Sequence, residues 1–321
     1  MRILFVSPLP LDPADEGVKT HLAGILENLL TAGHAVRVIG FAQTEAGAAS
    51  WPRYAGRLKF DVAGVVRLRQ GAALRWGQVR AVLSGEPPAP AYYQSAMYRE
   101  LLETELKKEP DWVIFGQYGV AAGERVRGRA RSLLLPVDSY RLYYERLARR
   151  TRSWRTKASA KYLAWSFARS EVRWREVFDW IAPVAEPDAA SLAQGKRGKA
   201  RIAVLPVAEE GGRFRWRTGR RVAVLGAFQL KTAEEGALEL MEFWSQAGIE
   251  AELVVWGRRA SRRLQEAVAK AGGRYINWVP DYRAFLDSMD LVIYPQRSAA
   301  GIQTKVQQSM AQGIPVVAHP E

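Results

Sequence analysis

The feature that most constrains this chain is a repeated alternation of short apolar runs with amphipathic helical segments. The run RILFVS at Arg2–Ser7 is followed by a helical stripe of apolar residues over 18–31, and by a second apolar run at 35–41. A strand, a helix and a strand in so short a stretch form a βαβ unit, which needs a parallel sheet with a right-handed crossover. The same alternation restarts at residue 221 and continues to 318. We therefore predict two successive doubly wound α/β domains.

A glycine- and arginine-rich segment separates the two runs. Residues 209–219 hold three glycines among arginines, a composition typical of a linker. We predict a first Rossmann-like domain over 1–208, the linker 209–219, and a second Rossmann-like domain over 220–321. Ligands of such sheets bind at the carboxyl ends of the strands, and a cleft between two domains is the default ligand site.

Composition excludes several classes of protein. The chain has 321 residues and no cysteine, which rules out disulfides, thiolate metal sites and a cysteine nucleophile. It contains no apolar run of about 18 residues that could span a membrane. The three histidines, His21, His34 and His319, lack the spacing of a zinc site. Neither a Walker A motif nor a G-x-S-x-G motif is present.

Positive charge is concentrated in one stretch. The formal net charge is +14, and residues 141–176 contribute +8 of it together with seven aromatic residues. One interpretation is a helical region at an anionic membrane interface. A second is nucleic-acid binding through basic residues and stacking rings. The third is a pair of helices that pack their aromatic side chains inward and leave their charges in solvent.

Four stretches, in order along the chain, resemble one known family. They are SPLPLDPADEGVKTHLAGILENLLTAGHAVRVIGF at 7–41, LPVDSYRLYYERLA at 135–148, FDWIAPVAEPDAASL at 178–192 and WVPDYRAFLDSMDLVIYPQRSAAGIQTKVQQSMAQGIPVVAHP at 278–320. Together they resemble the retaining, family-4 glycosyltransferases of the GT-B fold, and most closely those of exopolysaccharide synthesis. The family normally continues with further αβ units, so the resemblance implies that the second domain lacks its last elements.

The resemblance implies a set of residues that bind a nucleotide-sugar donor. In the second domain these are Gly301, Ile302, Gln303, Thr304 and Lys305 at the start of a helix, with Gln308 further along it. The family usually has a glutamate at the position of Gln308 and often an acid at the position of Ala300. Lys231 and Arg258 are candidate cations for the donor diphosphate, and Gly17 belongs to the family's loop beside the donor phosphates.

In the first domain the resemblance points to two candidate catalytic residues. Gln117 follows the apolar run 112–115 where many relatives carry a histidine that contacts the sugar. Asp138 stands at the carboxyl end of the run 132–137, the place where an open α/β site positions a functional acid. The alternative for this acid is structural, because Asp138 or Ser139 could cap the helix that begins near residue 140.

The resemblance implies a transferase that moves sugar from a UDP- or GDP-linked donor to a hydroxyl acceptor, with retained stereochemistry. It also implies that the reaction needs no metal and no cofactor, since the nucleotide sugar is a co-substrate. We expect it in the cytoplasm, peripheral at the inner face of the plasma membrane, with a lipid-linked acceptor and an anionic membrane surface as partners. The alternatives are a catalytically degenerate relative that acts as a partner or regulator, and, on charge alone, a nucleic-acid-binding protein.

Overall fold

The structure, a computed structural model, describes residues 1–13, 17–120, 130–151, 153–195, 198–205, 219–296 and 303–319. The chain divides into two compact units, Met1–Val207 and Ala208–Glu321. The two units are described one at a time.

The first unit is built on a parallel sheet of seven strands within the described residues. They are β1 (Arg2–Ser7), β2 (Ala35–Ala42), β3 (Asp61–Arg67), β4 (Trp112–Phe115), β5 (Arg131–Val137), β6 (Trp180–Pro183) and β7 (Arg201–Ile202), in the order β3-β2-β1-β4-β5-β6-β7. The interior strand β1 is apolar from Ile3 to Val6 and is paired on both sides, with β2 and β4. A strand buried on both faces has this continuous apolar pattern.

Helices cover both faces of this sheet. They are α1 (Gly17–Thr31), α2 (Glu45–Leu58), α3 (Gly71–Leu83), α4 (Ala96–Leu106), α5 (Tyr140–Arg150), α6 (Trp154–Val177) and α7 (Glu186–Leu192), with a 3-10 turn at Ala89–Tyr92. One apolar core contains side chains of α1 and α2, among them Leu22 and Trp51. The opposite core contains side chains of α4 and of the end of α6, among them Tyr98 and Trp174.

The second unit has a five-stranded parallel sheet in its described part. Its strands are β8 (Arg221–Leu225), β9 (Glu252–Trp256), β10 (Arg274–Ile276), β11 (Leu291–Tyr294) and β12 (Val316–Ala318), in the order β10-β9-β8-β11-β12. Its helices are α8 (Lys231–Ala247), α9 (Arg262–Lys270), α10 (Tyr282–Asp287) and α11 (Thr304–Ala311). Side chains of α8 and α9 pack on one face, and side chains of α10 and α11 on the other.

The strand order places a switch point in each sheet. In the first unit the chain moves outward from β1 to β2 and β3 on one side, and through β4 to β7 on the other. The corresponding reversal in the second unit lies between β8 and β11. Open α/β sheets bind their ligands at the carboxyl ends of the strands beside such a point. The predicted fold class, two doubly wound parallel α/β units, is confirmed.

Residues 42–91 hold three elements that the sequence pattern did not indicate, namely α2, β3 and α3. Helix α2 carries Pro52 in its interior, which ordinarily argues against a helix. Helix α3 has apolar residues on all sides and therefore lacks the one-sided stripe that marks a surface helix. Helix α4 begins at Ala96, and the Ser95 side chain before it accepts a hydrogen bond from the Tyr98 N–H. Strand β7 has only two residues among those described.

Candidate functional site

The carboxyl ends of β1, β4 and β5 are neighbours in the first unit and bring three predicted segments together. The Gly116 N–H donates to the Val6 carbonyl at 2.8 Å. A Cβ at Gly116 would lie 3.0 Å from the Leu22 side chain of α1, so the chain after β4 passes close to α1. Gly17, predicted beside the donor phosphates, is the first residue of α1.

Two residues at these strand ends have unusual backbone conformations. Gln117, directly after β4, has φ 140°, and Val137, the last residue of β5, has φ 67°. A positive φ is uncommon for any residue with a side chain and is a real outlier for a β-branched one. Such conformations cost on the order of 1–3 kcal/mol each and persist where the surroundings impose them, often at functional sites. The two adjacent strands therefore end in strained backbone beside both candidate catalytic residues.

Asp138 follows the strained Val137 and is not the cap of α5. That role belongs to Ser139, whose side chain accepts a hydrogen bond from the Leu142 N–H at 3.2 Å. Asp138 is partly buried, and burial, followed by the charge of Asp188, raises its pKa from 3.8 to about 7. A carboxyl group with a pKa near neutrality can accept and release a proton at physiological pH.

Behind Asp138 lies a buried polar network that sequence reasoning missed. The Ser139 N–H donates to Asp188 Oδ1 at 2.7 Å, and the Ser139 hydroxyl lies 3.0 Å from Glu171 Oε1 and 2.9 Å from Ser191 Oγ. The Arg141 N–H donates to the same Glu171 oxygen at 3.1 Å. Glu171 comes from α6 and Asp188 from α7, so two distant helices hold the turn that carries Asp138. The pairing could not be read from sequence, because the acids lie 32 and 49 residues from Ser139.

His21 of α1 is buried, with 4% of its surface exposed. Its Nε2 atom is buried and has no hydrogen-bond partner within the described residues. Burial lowers the pKa of His21 to about 4, so the ring is neutral at pH 7. A neutral imidazole beside the carboxyl end of β1 can donate or accept a hydrogen bond, but it adds no positive charge to this edge.

The basic, aromatic stretch 141–176 forms α5 and α6, and its aromatic residues divide into two groups. Tyr144 and Phe167 stack with ring centroids 5.7 Å apart, and Phe167 is 1% exposed. Trp154 and Trp165 are exposed instead, and each lies beside an arginine guanidinium, that of Arg155 or Arg169. The stretch therefore combines an inward-packed aromatic layer with an exposed tryptophan–arginine surface.

In the second unit the carboxyl ends of β8 and β9 approach each other closely. A Cβ at Gly257 would lie 2.2 Å from the Gly226 carbonyl, and a Cβ at Gly226 would lie 2.1 Å from the Phe228 ring. Only glycine fits at these two positions without movement of the neighbours. This close approach brings Arg258, which follows β9, to the edge next to the switch point between β8 and β11.

Helix α11 starts at this same edge, after β11. Gln303 precedes its first residue with extended backbone, and no acidic residue lies in its first turn. The Tyr294 hydroxyl lies 2.9 Å from Gln296 Oε1 and 2.6 Å from Gln303 Oε1, which ties the end of β11 to the start of α11. Lys305 Nζ lies 5.7 Å from the centroid of the Trp256 ring at the end of β9.

The remaining predicted donor residues are placed as follows. Thr304 is the first residue of α11, and Gln308 is partly buried one turn further on. Gly301, Ile302 and Ala300 lie outside the described residues. Lys231 begins α8 with its side chain 70% exposed and 3.7 Å from Glu235, so its environment is that of a helix-entry lysine. The structure thus brings Arg258, Gln303, Thr304 and Lys305 to one edge of the second sheet.

Comparison with known proteins gives one family match. Residues 219–321 match the family model described as glycosyl transferases group 1. No curated protein matches the chain. Among the described residues, no helix is long and apolar enough to cross a membrane.

Solved glycosyltransferase structures share the fold of almost the whole chain. Anabaena HepE in complex with UDP has a TM-score of 0.63 and 14% identity, over 99% of this chain and 80% of that one. The pneumococcal O-GlcNAc transferase GtfA, in complex with UDP and GlcNAc, has a TM-score of 0.63 and 10% identity, over 100% and 84%. WaaG, a glycosyltransferase involved in lipopolysaccharide biosynthesis, has a TM-score of 0.56 and 14% identity, over 98% and 80%.

At these identities the likeness establishes the fold, while the family match concerns the second unit. The fold and the family match agree with each other, and together they support a transferase. The protein has the two-sheet fold of GT-B glycosyltransferases, and residues 219–321 of its second unit match the family model of group 1 glycosyl transferases.

Proposed function

We propose that the chain transfers a sugar from a UDP- or GDP-linked donor to a hydroxyl group of an acceptor, with retained configuration at the sugar. The observation that carries this proposal is the position of α11. It begins at the carboxyl edge of the second sheet, beside the switch point, within the segment that matches the group 1 glycosyltransferase model. Solved structures of the same fold hold UDP.

The start of α11 has the chemistry of a diphosphate site. The first N–H groups of a helix have no partner within the helix, and the helix dipole is positive at that end. Helix N-termini of this kind bind phosphate groups. Since the first turn of α11 has no acid and includes Lys305, its charge favours an anion. Arg258 at the neighbouring strand end would add a second cation to the leaving diphosphate.

The nucleoside would be held further along the same helix. Gln308 is partly buried one turn after Thr304, and its side-chain carbonyl can accept a hydrogen bond from a ribose hydroxyl. A glutamine accepts less strongly than the charged glutamate common in the family. We therefore propose that Gln308 orients the ribose and that the diphosphate contacts supply most of the affinity.

The test of the donor site is nucleotide binding by the Lys305→Ala variant. Because a charged hydrogen bond to phosphate contributes about 1.5–3 kcal/mol, we expect the affinity for UDP or GDP to fall at least about tenfold. Isothermal titration calorimetry of the full chain measures it directly. Lys270→Ala, at the exposed end of α9, removes the same charge away from this edge and should leave the affinity unchanged. Equal affinities of the Lys305 variant and the parent protein would remove Lys305 from the donor site.

In the first unit we propose that Asp138 and Gln117 serve the transfer itself. The sugar's bond to the diphosphate oxygen breaks, a bond to the acceptor oxygen forms, and the acceptor hydroxyl loses its proton. Asp138, with a pKa of about 7, is the candidate to take up that proton. The side chain of Gln117 can hydrogen-bond sugar hydroxyls from the adjacent strand end.

We further propose a cytoplasmic protein, peripheral at the inner face of the plasma membrane, that takes part in cell-surface polysaccharide or glycolipid synthesis with a lipid-linked acceptor. The exposed pairs Trp154–Arg155 and Trp165–Arg169 support this proposal. Tryptophan and arginine are the residues that favour an anionic lipid–water interface.

A degenerate relative is the second candidate function, because Gln308 replaces the family's usual acid. Such a protein would bind UDP or GDP without releasing sugar. An assay of nucleotide and sugar release over a panel of donors separates the two candidates. Release from any donor supports the transferase, whereas nucleotide binding with no release from any donor supports the non-catalytic function.

A further inference from the structure

Trp256, the last residue of β9, has a backbone that is fixed from both sides at the carboxyl edge of the second sheet. The Gly226 N–H, directly after β8, donates to the Trp256 carbonyl at 3.1 Å. On the other side, the Gly257 N–H donates to the Ile276 carbonyl of β10 at 3.1 Å. Because a Cβ at Gly257 would lie 2.2 Å from the Gly226 carbonyl, the end of β9 is tightly confined. The Trp256 side chain therefore extends from a rigid point next to the donor edge.

The indole ring of Trp256 is held by other rings and not by a hydrogen bond. Its centroid lies 4.6 Å from that of the Tyr282 ring and 6.0 Å from that of the Phe285 ring, both of α10. Its Nε1 atom is buried and has no hydrogen-bond partner within the described residues. Val306 of α11 packs against the same apolar core. The ring and the start of α11 therefore share one core.

Lys305, directly before Val306, brings a positive charge to the face of this ring. Its Nζ atom lies 5.7 Å from the ring centroid, within the range of about 6 Å over which an aromatic face attracts a cation. Indole is the most favourable ring for such a contact. Since the ammonium of a lysine sits on a flexible four-carbon stem, the contact restricts its motion. The ring thus holds the charge of Lys305 at the edge where α11 begins.

The contact with the ring leaves the Lys305 ammonium able to bind an anion. The ring covers one side of the ammonium, and the attraction uses none of its three N–H donors. Those donors can still reach phosphate oxygens on the other side. A cation that is already held in place loses less conformational freedom when a ligand binds, which favours binding.

We propose that Trp256 is a positioning residue of the donor site, and that its ring holds the Lys305 ammonium where the diphosphate of the nucleotide sugar binds. Trp256 acts through Lys305 and does not itself contact the diphosphate. The proposal rests on the donor role proposed above for Lys305.

A double-mutant cycle between Trp256 and Lys305 tests this role through the affinity for UDP or GDP, measured by isothermal titration calorimetry of the full chain. Trp256→Leu removes the aromatic face and should lower the affinity about threefold to tenfold, the effect of one cation–π contact. Trp256→Phe keeps a weaker aromatic face and should lower the affinity less. In the Lys305→Ala background, Trp256→Leu should cause no further loss, because the ring acts through the lysine.

The cycle separates positioning from a general effect on the fold. If Trp256→Leu only disturbed the end of β9, the affinity would fall by the same factor with and without Lys305, and the proposal would be overturned. A higher affinity of Trp256→Leu would also overturn it, since the ring would then draw Lys305 away from the diphosphate. Phe243→Leu, which removes an exposed ring of α8, is the control and should leave the affinity unchanged.

Failure of the donor site itself would give a different result. If Lys305→Ala binds nucleotide as tightly as the parent protein, or the parent protein binds none, the donor role of Lys305 fails and that of Trp256 fails with it. If Lys305→Ala weakens binding while Trp256→Leu does not, only the role of Trp256 is refuted.

Discussion

The buried carboxyl group of Glu171 offers a quantitative test of the network behind Asp138. Glu171 is 3% exposed and hydrogen-bonds the Ser139 hydroxyl and the Arg141 N–H at the start of α5. In Glu171→Gln the amide oxygen can still accept both hydrogen bonds, but the side chain can no longer ionise. The substitution therefore removes the charge and keeps most of the geometry.

The magnitude follows from the pKa of Glu171. Burial, partly offset by the hydrogen bonds from Arg141 and Ser139, raises it from 4.5 to about 7. Since the folded state then binds the proton more tightly than the unfolded state, the free energy of unfolding falls as the pH rises from about 4.5 to about 7. Each pKa unit corresponds to 1.36 kcal/mol, so the ionised side chain costs the fold about 3 kcal/mol above pH 7. Below pH 4.5 this cost disappears.

Urea unfolding of the parent protein and of Glu171→Gln across this pH range measures the effect. As the pH rises from 4.5 to above 7, the free energy of unfolding of Glu171→Gln should increase by about 3 kcal/mol relative to that of the parent protein. Asp138 titrates in both proteins and cancels in the difference. Glu176→Gln, exposed on the same helix, should show a constant difference. A constant difference for Glu171→Gln as well would refute the assignment of a buried, neutral carboxyl group.

Three further substitutions test the candidate site and its scaffold. Asp138→Asn should lower the rate of sugar transfer about 10²–10⁴-fold. The activity of the parent protein should fall as the pH decreases through about 7, because Asp138 becomes protonated there. A pH–rate profile that the substitution leaves unchanged would exclude Asp138 as the base. Gly236→Ala would place a Cβ 2.3 Å from the Pro295 carbonyl and should destabilise the fold by about 1–3 kcal/mol. Gly56→Ala, which meets nothing within 4 Å inside α2, should instead stabilise it by about 0.5–1 kcal/mol. Thermal unfolding of Gly236→Ala and Gly56→Ala measures the two effects. Equal changes in Tm would contradict the close contact between Gly236 and the Pro295 carbonyl.

The most predictable parts of the fold are the central strands. Arg2–Ser7, Trp112–Phe115, Arg221–Leu225 and Leu291–Tyr294 have in the structure the bounds that the apolar runs indicate. The interior positions of these strands are apolar because the strands lie in a parallel sheet that helices cover on both faces, so each apolar run marks its strand. The helices α2 and α3 escaped prediction because a proline and an all-round apolar pattern hide the helical period.

The candidate site was predictable in part. An acid directly after an apolar run is a local signal that placed Asp138 at a strand end. The family resemblance, and not a local signal, pointed to Thr304 and Lys305 at the start of a helix. The raised pKa of Asp138 had no local signal, since it depends on burial and on Asp188, which is 50 positions away. The burial of His21, which lowers its pKa, likewise has no local signal.

What the sequence determined by itself is the order of strands and helices, and hence two parallel sheets with their loops at the carboxyl ends. This follows because apolar periodicity is a local property of the chain. Only the tertiary structure decided which side chains meet at those ends and which carboxyl groups lose their solvent. Desolvation and backbone strain arise from contacts between distant segments, and no local pattern encodes them.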